Sequence, residues 1–202
     1  MLKIYGNRKS NNCNKVEYVL KILGIPYNYK EMDFQKDIKT PEYLKIHPAG
    51  KIPAIDEDGF IVFESTAICK YLCSKYNHSL YPHDLKKRAL IDQWIDFCTI
   101  HLGVAMSRVA FNRTFAPLMN IPVDEAIIND GLKILERFLP IIDDKLKDAD
   151  FITVNELSLA DVNLISILSY LEPAKVDISK YKNLKNYWDK MQEKEFYQTV
   201  HK

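Results

Sequence analysis

The sequence has few cysteines, little glycine and almost no net charge. Four cysteines and six glycines among 202 residues are too few for a fold that depends on disulfide bonds or on glycine-rich repeats. Lys and Arg number 28 against 27 for Asp and Glu, which leaves a net charge of +1. Because nucleic-acid binding relies on a surplus of cations, this balance argues against a polyanion as the main partner.

Long apolar runs and clusters of metal ligands are also missing. No run of about 18 apolar residues predicts a membrane-spanning helix, and the opening Met-Leu-Lys-Ile-Tyr lacks the pattern of a signal peptide. The five histidines are scattered, and Cys69 and Cys73 have no second pair to complete a zinc site. We therefore expect a cytoplasmic protein that binds no metal, no nucleic acid and no membrane.

The first 80 residues alternate between strand and helix patterns. Extended runs occur at 2–5, 27–32, 52–55 and 60–63. A helix pattern follows Cys13 and stops at Gly24, a second opens at Pro41, and a third runs from about Ser65 to Tyr76. The order strand-helix-strand-helix-strand-strand-helix predicts a small α/β layer structure.

The remainder of the chain carries helical patterns and no convincing strand. Residues 77–84, which include Pro82, predict a linker between a domain at 1–80 and an all-helical domain at 86–202. One helix face is predicted at Leu90, Trp94, Cys98, Leu102 and Ala105, and another at Ile127, Ile134, Phe138 and Ile142. Pro140 should kink or end the second of these helices because it removes a backbone donor. Further helices are predicted from about Ser158, at 181–191 and at 194–200.

Three segments of the first domain have residue types suited to binding a small anion or peptide. Ser10 stands in the turn before the first helix, where a hydroxyl lies near the positive helix terminus, although Ser is also a common N-cap. Pro53 opens a strand, and a cis bond after Ile52 would leave the Ile52 amide and carbonyl free for a peptide. Glu64 and Ser65 mark a strand that passes straight into a helix, so that its amides could hold a carboxylate.

Taken together, these segments resemble the N-terminal domain of cytosolic glutathione S-transferases. The family pattern is a hydroxyl residue after the first strand, then Asn-Pro-x-Gly-x-(Ile/Val)-Pro, then Glu-Ser at the start of the third helix, followed by Ala-Ile-x-x-Tyr-Leu. The corresponding stretches here are Ser10, His47-Pro48-Ala49-Gly50-Lys51-Ile52-Pro53, Glu64-Ser65 and Ala67-Ile68-Cys69-Lys70-Tyr71-Leu72. The resemblance covers nearly the whole chain.

The resemblance implies an α/β thioredoxin-like N-terminal domain (βαβαββα) and an all-α C-terminal helical domain. It implies a homodimeric transferase that conjugates the thiolate of glutathione, its co-substrate, to hydrophobic electrophiles in detoxification. Ser10 would be the catalytic hydroxyl of a theta- or phi-like, serine-type enzyme. The residues implied to bind glutathione are Lys39, Lys51, Ile52, Pro53, Glu64 and Ser65.

Two departures from the family pattern leave alternatives open. Phi-like relatives hold the glycine carboxylate of glutathione with a His-Lys pair, but this chain has Ile38 before Lys39, so only the lysine carries over. Asn12 could replace Ser10 as the donor to the thiol, as in disulfide-reductase relatives. The alternative functions are therefore a glutathione-dependent disulfide reductase or peroxidase, and a non-catalytic binding or scaffold protein.

The second domain supplies weaker predictions. Candidate residues for the wall of the electrophile pocket are Met106, Val109, Phe111, Asn112, Arg113 and Phe115, with packing inside the helical domain as the competing interpretation. Ser158 and Asp161 match the family's capping motif at the start of a helix. We assign this motif to folding rather than to chemistry.

Overall fold

The computed structural model describes residues 1–76, 78–153 and 156–202, and these form two compact units. The first unit contains residues 1–83 and 195–202, and the second contains residues 84–194. The division falls inside the predicted linker, of which Asn77 lies outside the described residues. Residues 195–202 belong to the first unit, whereas the sequence places them in the helical domain.

The first unit is a four-stranded sheet with helices, in the predicted order βαβαββα. Its strands are β1 (Leu2–Gly6), β2 (Asn28–Glu31), β3 (Ala54–Glu57) and β4 (Phe60–Phe63), arranged as β2-β1-β3-β4. Its helices are α1 (Asn11–Leu23), α2 (Pro41–Leu44) and α3 (Ser65–Lys75), with a short 3-10 turn at Asp37–Lys39. The β1–β2 pair is parallel and the other pairs are antiparallel. The thioredoxin-like fold is thereby confirmed.

Local signals in the sequence explain where these elements begin and end. Gly24 ends α1 in the left-handed conformation (φ +66°), which a residue without a Cβ adopts at little cost. The Thr40 side chain accepts a hydrogen bond from the Tyr43 amide and caps α2. Asp58 and Gly59 both have positive φ and form the hairpin between β3 and β4.

The last helix, α10 (Glu195–His201), packs against α1, which explains why it groups with the first unit. Tyr18 of α1 is fully buried, and its ring lies 5.6 to 5.8 Å from the rings of Phe196, Tyr197 and His201. The Tyr18 hydroxyl also forms a hydrogen bond with Nε2 of His201. The sequence pattern reveals the helix but not the surface that it covers.

The second unit contains helices and no strand among its described residues, as predicted. It contains α4 (Leu85–Phe97), α5 (Val104–Ala110), α6 (Ala116–Leu118), α7 (Glu125–Lys145), α8 (Leu159–Leu168) and α9 (Lys182–Gln192), with π-helical segments at Cys98–Gly103 and Phe111–Phe115. Across the described parts of both units, no helix has the length and apolar character needed to cross a bilayer. The described residues also contain no group of three His, Cys, Asp or Glu that could hold a metal ion.

Part of each predicted buried stripe is wrong. The first buried stripe consists of Ile91, Ile95, Cys98, Leu102 and Ala105, while Leu90 is 47% exposed and Trp94 is only partly buried. A helix turns once in 3.6 residues, so its buried stripe alternates steps of four and three, whereas the predicted stripe takes three successive steps of four from Leu90 to Leu102. In α7 the buried stripe passes through Ile128, Leu135 and Ile142, and Ile127 is exposed. Pro140 does not end α7, which continues to Lys145.

The predicted capping box at the start of α8 is confirmed, and its carboxylate has further partners. Asp161 is fully buried and accepts hydrogen bonds from the amide and hydroxyl of Ser158 at 2.9 and 2.7 Å. It also accepts from the Ile152 amide at 2.9 Å and from the Tyr187 hydroxyl at 3.1 Å. Burial raises the pKa of Asp161, and these hydrogen bonds act against that rise.

Candidate functional site

Three segments of the first unit meet at one edge of its sheet. Tyr5, Ala54 and Phe63 form a row of paired residues across β1, β3 and β4. Pro53 and Glu64 are the next residues beyond this row, so the start of β3 lies beside the end of β4. The end of β1 reaches the same edge and leads into α1. The three segments singled out in the sequence are therefore neighbours.

Ser10 occupies the residue before α1 and has extended backbone angles. Its carbonyl accepts hydrogen bonds from the amides of Cys13 and Asn14, at 3.0 Å each. Its side chain makes no capping hydrogen bond to the helix. Serine is a common N-cap residue, but the Ser10 hydroxyl does not cap α1. The residue is 9% exposed.

Cys13, one helical turn further on, is an unreactive core residue. Its side chain is fully buried, and its sulfur accepts a hydrogen bond from the Asn7 amide at 3.4 Å. Burial raises the pKa of the Cys13 thiol to about 12, although hydrogen bonds from Asn7 and Ser10 act in the opposite direction. A thiol with this pKa carries almost no thiolate at neutral pH, so Cys13 is not a nucleophile.

The loop before β3 is fixed at both ends. Nδ1 of His47 accepts the Ala49 amide at 3.3 Å, and the Tyr43 hydroxyl donates to the Lys51 carbonyl at 2.7 Å. The bond between Ile52 and Pro53 is cis. The Ile52 side chain packs against a buried cluster that includes Tyr43.

The two predicted lysines lie on adjacent segments. Gly50 has φ +56°, and a Cβ added there would come within 2.7 Å of the Ile38 carbonyl oxygen. The 3-10 turn that ends in Lys39 therefore packs directly against the loop that contains Lys51. Both lysines are exposed. The close approach explains why a glycine is needed at position 50.

Glu64 links β4 to α3 through an unusual backbone conformation. Its φ of +69° and ψ of 112° are rarely adopted by a residue with a side chain. Such strain is found where the surrounding structure holds a residue for binding or catalysis. Glu64 is exposed and stands before the first turn of α3, which carries no acidic residue. A bound carboxylate would be favoured at this helix terminus.

The hydroxyl of Ser65 connects α3 with α1. It donates to Oδ1 of Asn12 at 3.2 Å and accepts from Nζ of Lys15 at 3.1 Å. Lys15 also donates to the Thr66 hydroxyl at 3.4 Å, and its side chain is buried, with the residue only 5% exposed. Asn12, by contrast, is exposed. The structure thus brings together two predicted residues, Asn12 and Ser65, and adds Lys15.

The residues that sequence reasoning did not assign to the site are Lys15, His47 and Gly50. His47 is buried against the Phe63 ring, and burial lowers its pKa while the nearby Glu64 carboxylate opposes this change. Asn12 and Lys15 are three residues apart and share a helix face, but no local signal in the sequence shows that this face meets the helix that Ser65 begins.

The predicted wall of the electrophile pocket consists largely of residues with internal roles in the second unit. Met106 and Val109 are buried, and Val109 packs against Gly131 of α7. Asn112 accepts a hydrogen bond from the Asp124 amide at 2.9 Å, and Arg113 donates to the Ala174 and Lys175 carbonyls at 2.7 and 3.0 Å. Phe111 is 41% exposed, and Phe115 packs against Tyr170. Phe111 is thus the exposed member of this set.

Comparison with known proteins gives the same segments a family context. Residues 4–80 match the family model described as "Glutathione S-transferase, N-terminal domain", and residues 108–195 match "Glutathione S-transferase, C-terminal domain". The chain is 28% identical over 192 residues to the probable glutathione S-transferase GSTF2 of Oryza sativa subsp. japonica. That match covers 93% of this chain and 89% of the relative.

Solved structures show the same similarity over the full length. Glutathione transferase F2 from Populus trichocarpa is 30% identical and superposes with a TM-score of 0.93, covering 100% of this chain and 97% of that one. Maize glutathione S-transferase I, solved with an atrazine glutathione conjugate, is 27% identical with a TM-score of 0.89, covering 98% of this chain and 95% of that one.

Proposed function

The chain belongs to the glutathione S-transferase family, and from this we propose how its residues conjugate glutathione to hydrophobic electrophiles. The observation that carries the proposal is the edge where Ser10, the cis bond before Pro53 and the strained Glu64 lie on adjacent segments. Glutathione is the co-substrate, and the reaction is a group transfer. The conjugate bound to the maize relative indicates the chemical class of product.

We assign each part of glutathione to one segment of this edge. The amide and carbonyl of Ile52, which precede β3 at this edge, pair with the cysteinyl residue. The γ-glutamyl carboxylate binds at Ser65 and the start of α3, while the Glu64 carboxylate takes the ammonium group. Lys39 and Lys51, which lie on adjacent segments, attract the glycine carboxylate.

Ser10 stabilises the thiolate in this mechanism. A free thiol has a pKa near 8.5, and lowering it by about two units requires about 2.7 kcal/mol of preferential anion stabilisation. One donor to a charged acceptor contributes about 1.5–3 kcal/mol, and the terminus of α1 adds to it. The sulfur then forms a bond to the electrophilic carbon, the leaving group departs with its bonding electrons, and the thiol proton passes to solvent.

A second candidate function is glutathione-dependent disulfide reduction with Asn12 as the donor to the thiol. The observation in its favour is that Asn12 is exposed and already bonded to Ser65, whereas Ser10 is largely buried. In this reaction the glutathione thiolate attacks one sulfur of a disulfide, and the other sulfur leaves as a thiolate.

Two assays on matched variants separate these functions. Wild type, Ser10→Ala and Asn12→Ala are compared with chlorodinitrobenzene and with hydroxyethyl disulfide, each at saturating glutathione. Conjugation should fall at least tenfold in Ser10→Ala and persist in Asn12→Ala. Reductase activity that survives in Ser10→Ala but not in Asn12→Ala would favour the second function. Glutathione binding without turnover of either substrate would mean that the protein is a non-catalytic binder.

We also propose that the protein is a homodimer. β4 is an edge strand of the sheet and exposes Phe60, Ile61 and Phe63, at 54%, 40% and 39%. Apolar side chains on an open edge strand favour association with a second copy. Sedimentation at micromolar concentration should give about twice the 23.5 kDa of one chain. Phe60→Asp should dissociate the dimer and Phe60→Leu should not, whereas a 23.5 kDa wild type would contradict the proposal.

A cytoplasmic location and a role in detoxification complete the proposal. Both rest on the similarity to the glutathione S-transferases named above rather than on a feature of the fold. Fractionation of the native cells tests the location, and sensitivity of a deletion strain to an electrophile such as chlorodinitrobenzene tests the role.

A further inference from the structure

The ammonium group of Lys15 lies close enough to the start of α3 to attract a carboxylate bound there. Its ammonium group lies 3.1 Å from the Ser65 hydroxyl and 3.4 Å from the Thr66 hydroxyl, at the first turn of α3. It reaches this point from α1, whose backbone is held to α3 in part by the contact of the Cys69 thiol with the Lys15 carbonyl at 3.8 Å. The lysine is 5% exposed, so its geometry is set by packing rather than by solvent.

The same contacts give the Ser65 hydroxyl a defined direction. Its proton points to Oδ1 of Asn12, and its lone pairs face Lys15. Ser65 is itself only 7% exposed. A hydroxyl held in this way keeps the Lys15 ammonium group beside the first turn of α3, and it donates to a bound carboxylate only after its proton turns away from Asn12.

We propose that Lys15 is a positioning residue that supplies the full positive charge recognising the γ-glutamyl carboxylate of glutathione, acting through and beside the Ser65 hydroxyl. This inference rests on the proposed function of the site. The helix terminus and the hydroxyl provide only partial charges, and a partly buried cation strengthens the attraction because the local dielectric is low. Lys15 thereby selects peptides that carry an anion at this end.

Three peptides test the inference by isothermal titration calorimetry. They are glutathione, 4-aminobutanoyl-cysteinylglycine, which lacks the γ-glutamyl carboxylate, and glutaryl-cysteinylglycine, which lacks only the ammonium group. Lys15→Met should weaken binding of glutathione and of the glutaryl peptide about 10- to 100-fold, the range expected for one hydrogen bond to a charged group. Binding of the 4-aminobutanoyl peptide should hardly change, and Lys15→Arg should retain most of the affinity for all three.

Lys51→Met is the matched control. Lys51 is exposed and is assigned to the opposite end of glutathione, so its loss should weaken all three peptides by the same factor. Equal weakening of all three peptides in Lys15→Met would overturn the inference, because a merely structural lysine would act that way. Unchanged affinity for glutathione would also overturn it.

A misfolded variant and a wild type that does not bind glutathione are distinguished from failure of the Lys15 proposal. If Lys15→Met fails to fold, Lys15→Gln replaces it in the same titrations, since glutamine retains hydrogen-bond donors without the charge. If wild type releases no heat with millimolar glutathione, the proposed function itself fails. If wild type binds and the lysine variants bind equally well, only the role of Lys15 fails.

Discussion

The buried carboxylate of Asp161 gives the sharpest prediction about stability. It accepts four hydrogen bonds, two from Ser158 and one each from the Ile152 amide and the Tyr187 hydroxyl. Asp161→Asn keeps the size of the side chain but replaces one oxygen by an amino group. Whichever way the amide turns, one buried backbone amide and one hydroxyl then face an NH₂ group; the hydroxyl can rotate to accept from it, but the backbone amide loses its acceptor.

The magnitude follows from that one amide. A buried donor left without an acceptor costs about 1–3 kcal/mol, and the variant should lose about that much of its free energy of unfolding. In urea, with a slope of about 2 kcal/mol per molar, this loss lowers the midpoint of unfolding by about 0.5–1.5 M. Urea titration followed by circular dichroism measures the shift.

Asp177→Asn is the control for this experiment. Asp177 also accepts an amide and a hydroxyl, both from Ser179 at 2.8 Å, but it is exposed, so water replaces the lost acceptor. Its midpoint should stay close to that of wild type. Equal midpoints for wild type and Asp161→Asn would refute the reasoning. Folded Asp161→Asn should keep the wild-type KM for glutathione, because the residue has no role in the site.

Three further predictions concern the first unit and the thiols. Gly50→Ala should raise the KM for glutathione and cost about 1–3 kcal/mol of stability, because its Cβ would clash with the Ile38 carbonyl and positive φ disfavours alanine; an unchanged urea midpoint would contradict this. Burial lowers the pKa of His201, so the stabilisation from its neutral ring is complete above about pH 6.5 and is lost as the pH falls. Between pH 7.5 and pH 5, the free energy of unfolding of His201→Phe should therefore fall by less than that of wild type. Equal falls would refute the role of His201 in this pH dependence. All four cysteines are buried, so a thiol reagent should label them in urea but not in the native protein.

The sequence was sufficient for the elements whose signals are local. Gly24, Thr40 and the turn at Asp58 each act through their own backbone, and the structure has a helix end, a helix start and a hairpin there. The capping box of Ser158 and Asp161 is equally local and was predicted correctly. Such features depend on a few neighbouring residues, so a single sequence contains the information.

Features that depend on tertiary packing could not be predicted. Nothing near Lys15 in the chain shows that its ammonium group ends at α3, 50 residues away. The contacts of Arg113 with two carbonyls beyond α8 are equally remote in sequence, so a single sequence does not reveal them. The prediction of the buried stripe that begins at Ile91 was wrong for a different reason. It placed successive buried residues four apart from Leu90 to Leu102, whereas a helix has 3.6 residues per turn.

The grouping of α10 with α1 has a consequence for how the chain folds during synthesis. The two pieces of the first unit are separated by the whole of residues 84–194, so the thioredoxin-like unit is completed only after the helical unit has been made. Because synthesis proceeds at about 5–20 residues per second, the face of α1 around Tyr18 stays uncovered for on the order of ten seconds, until α10 has been made. A ribosome-bound nascent chain would expose an aromatic surface for that interval, which is the kind of surface that chaperones bind.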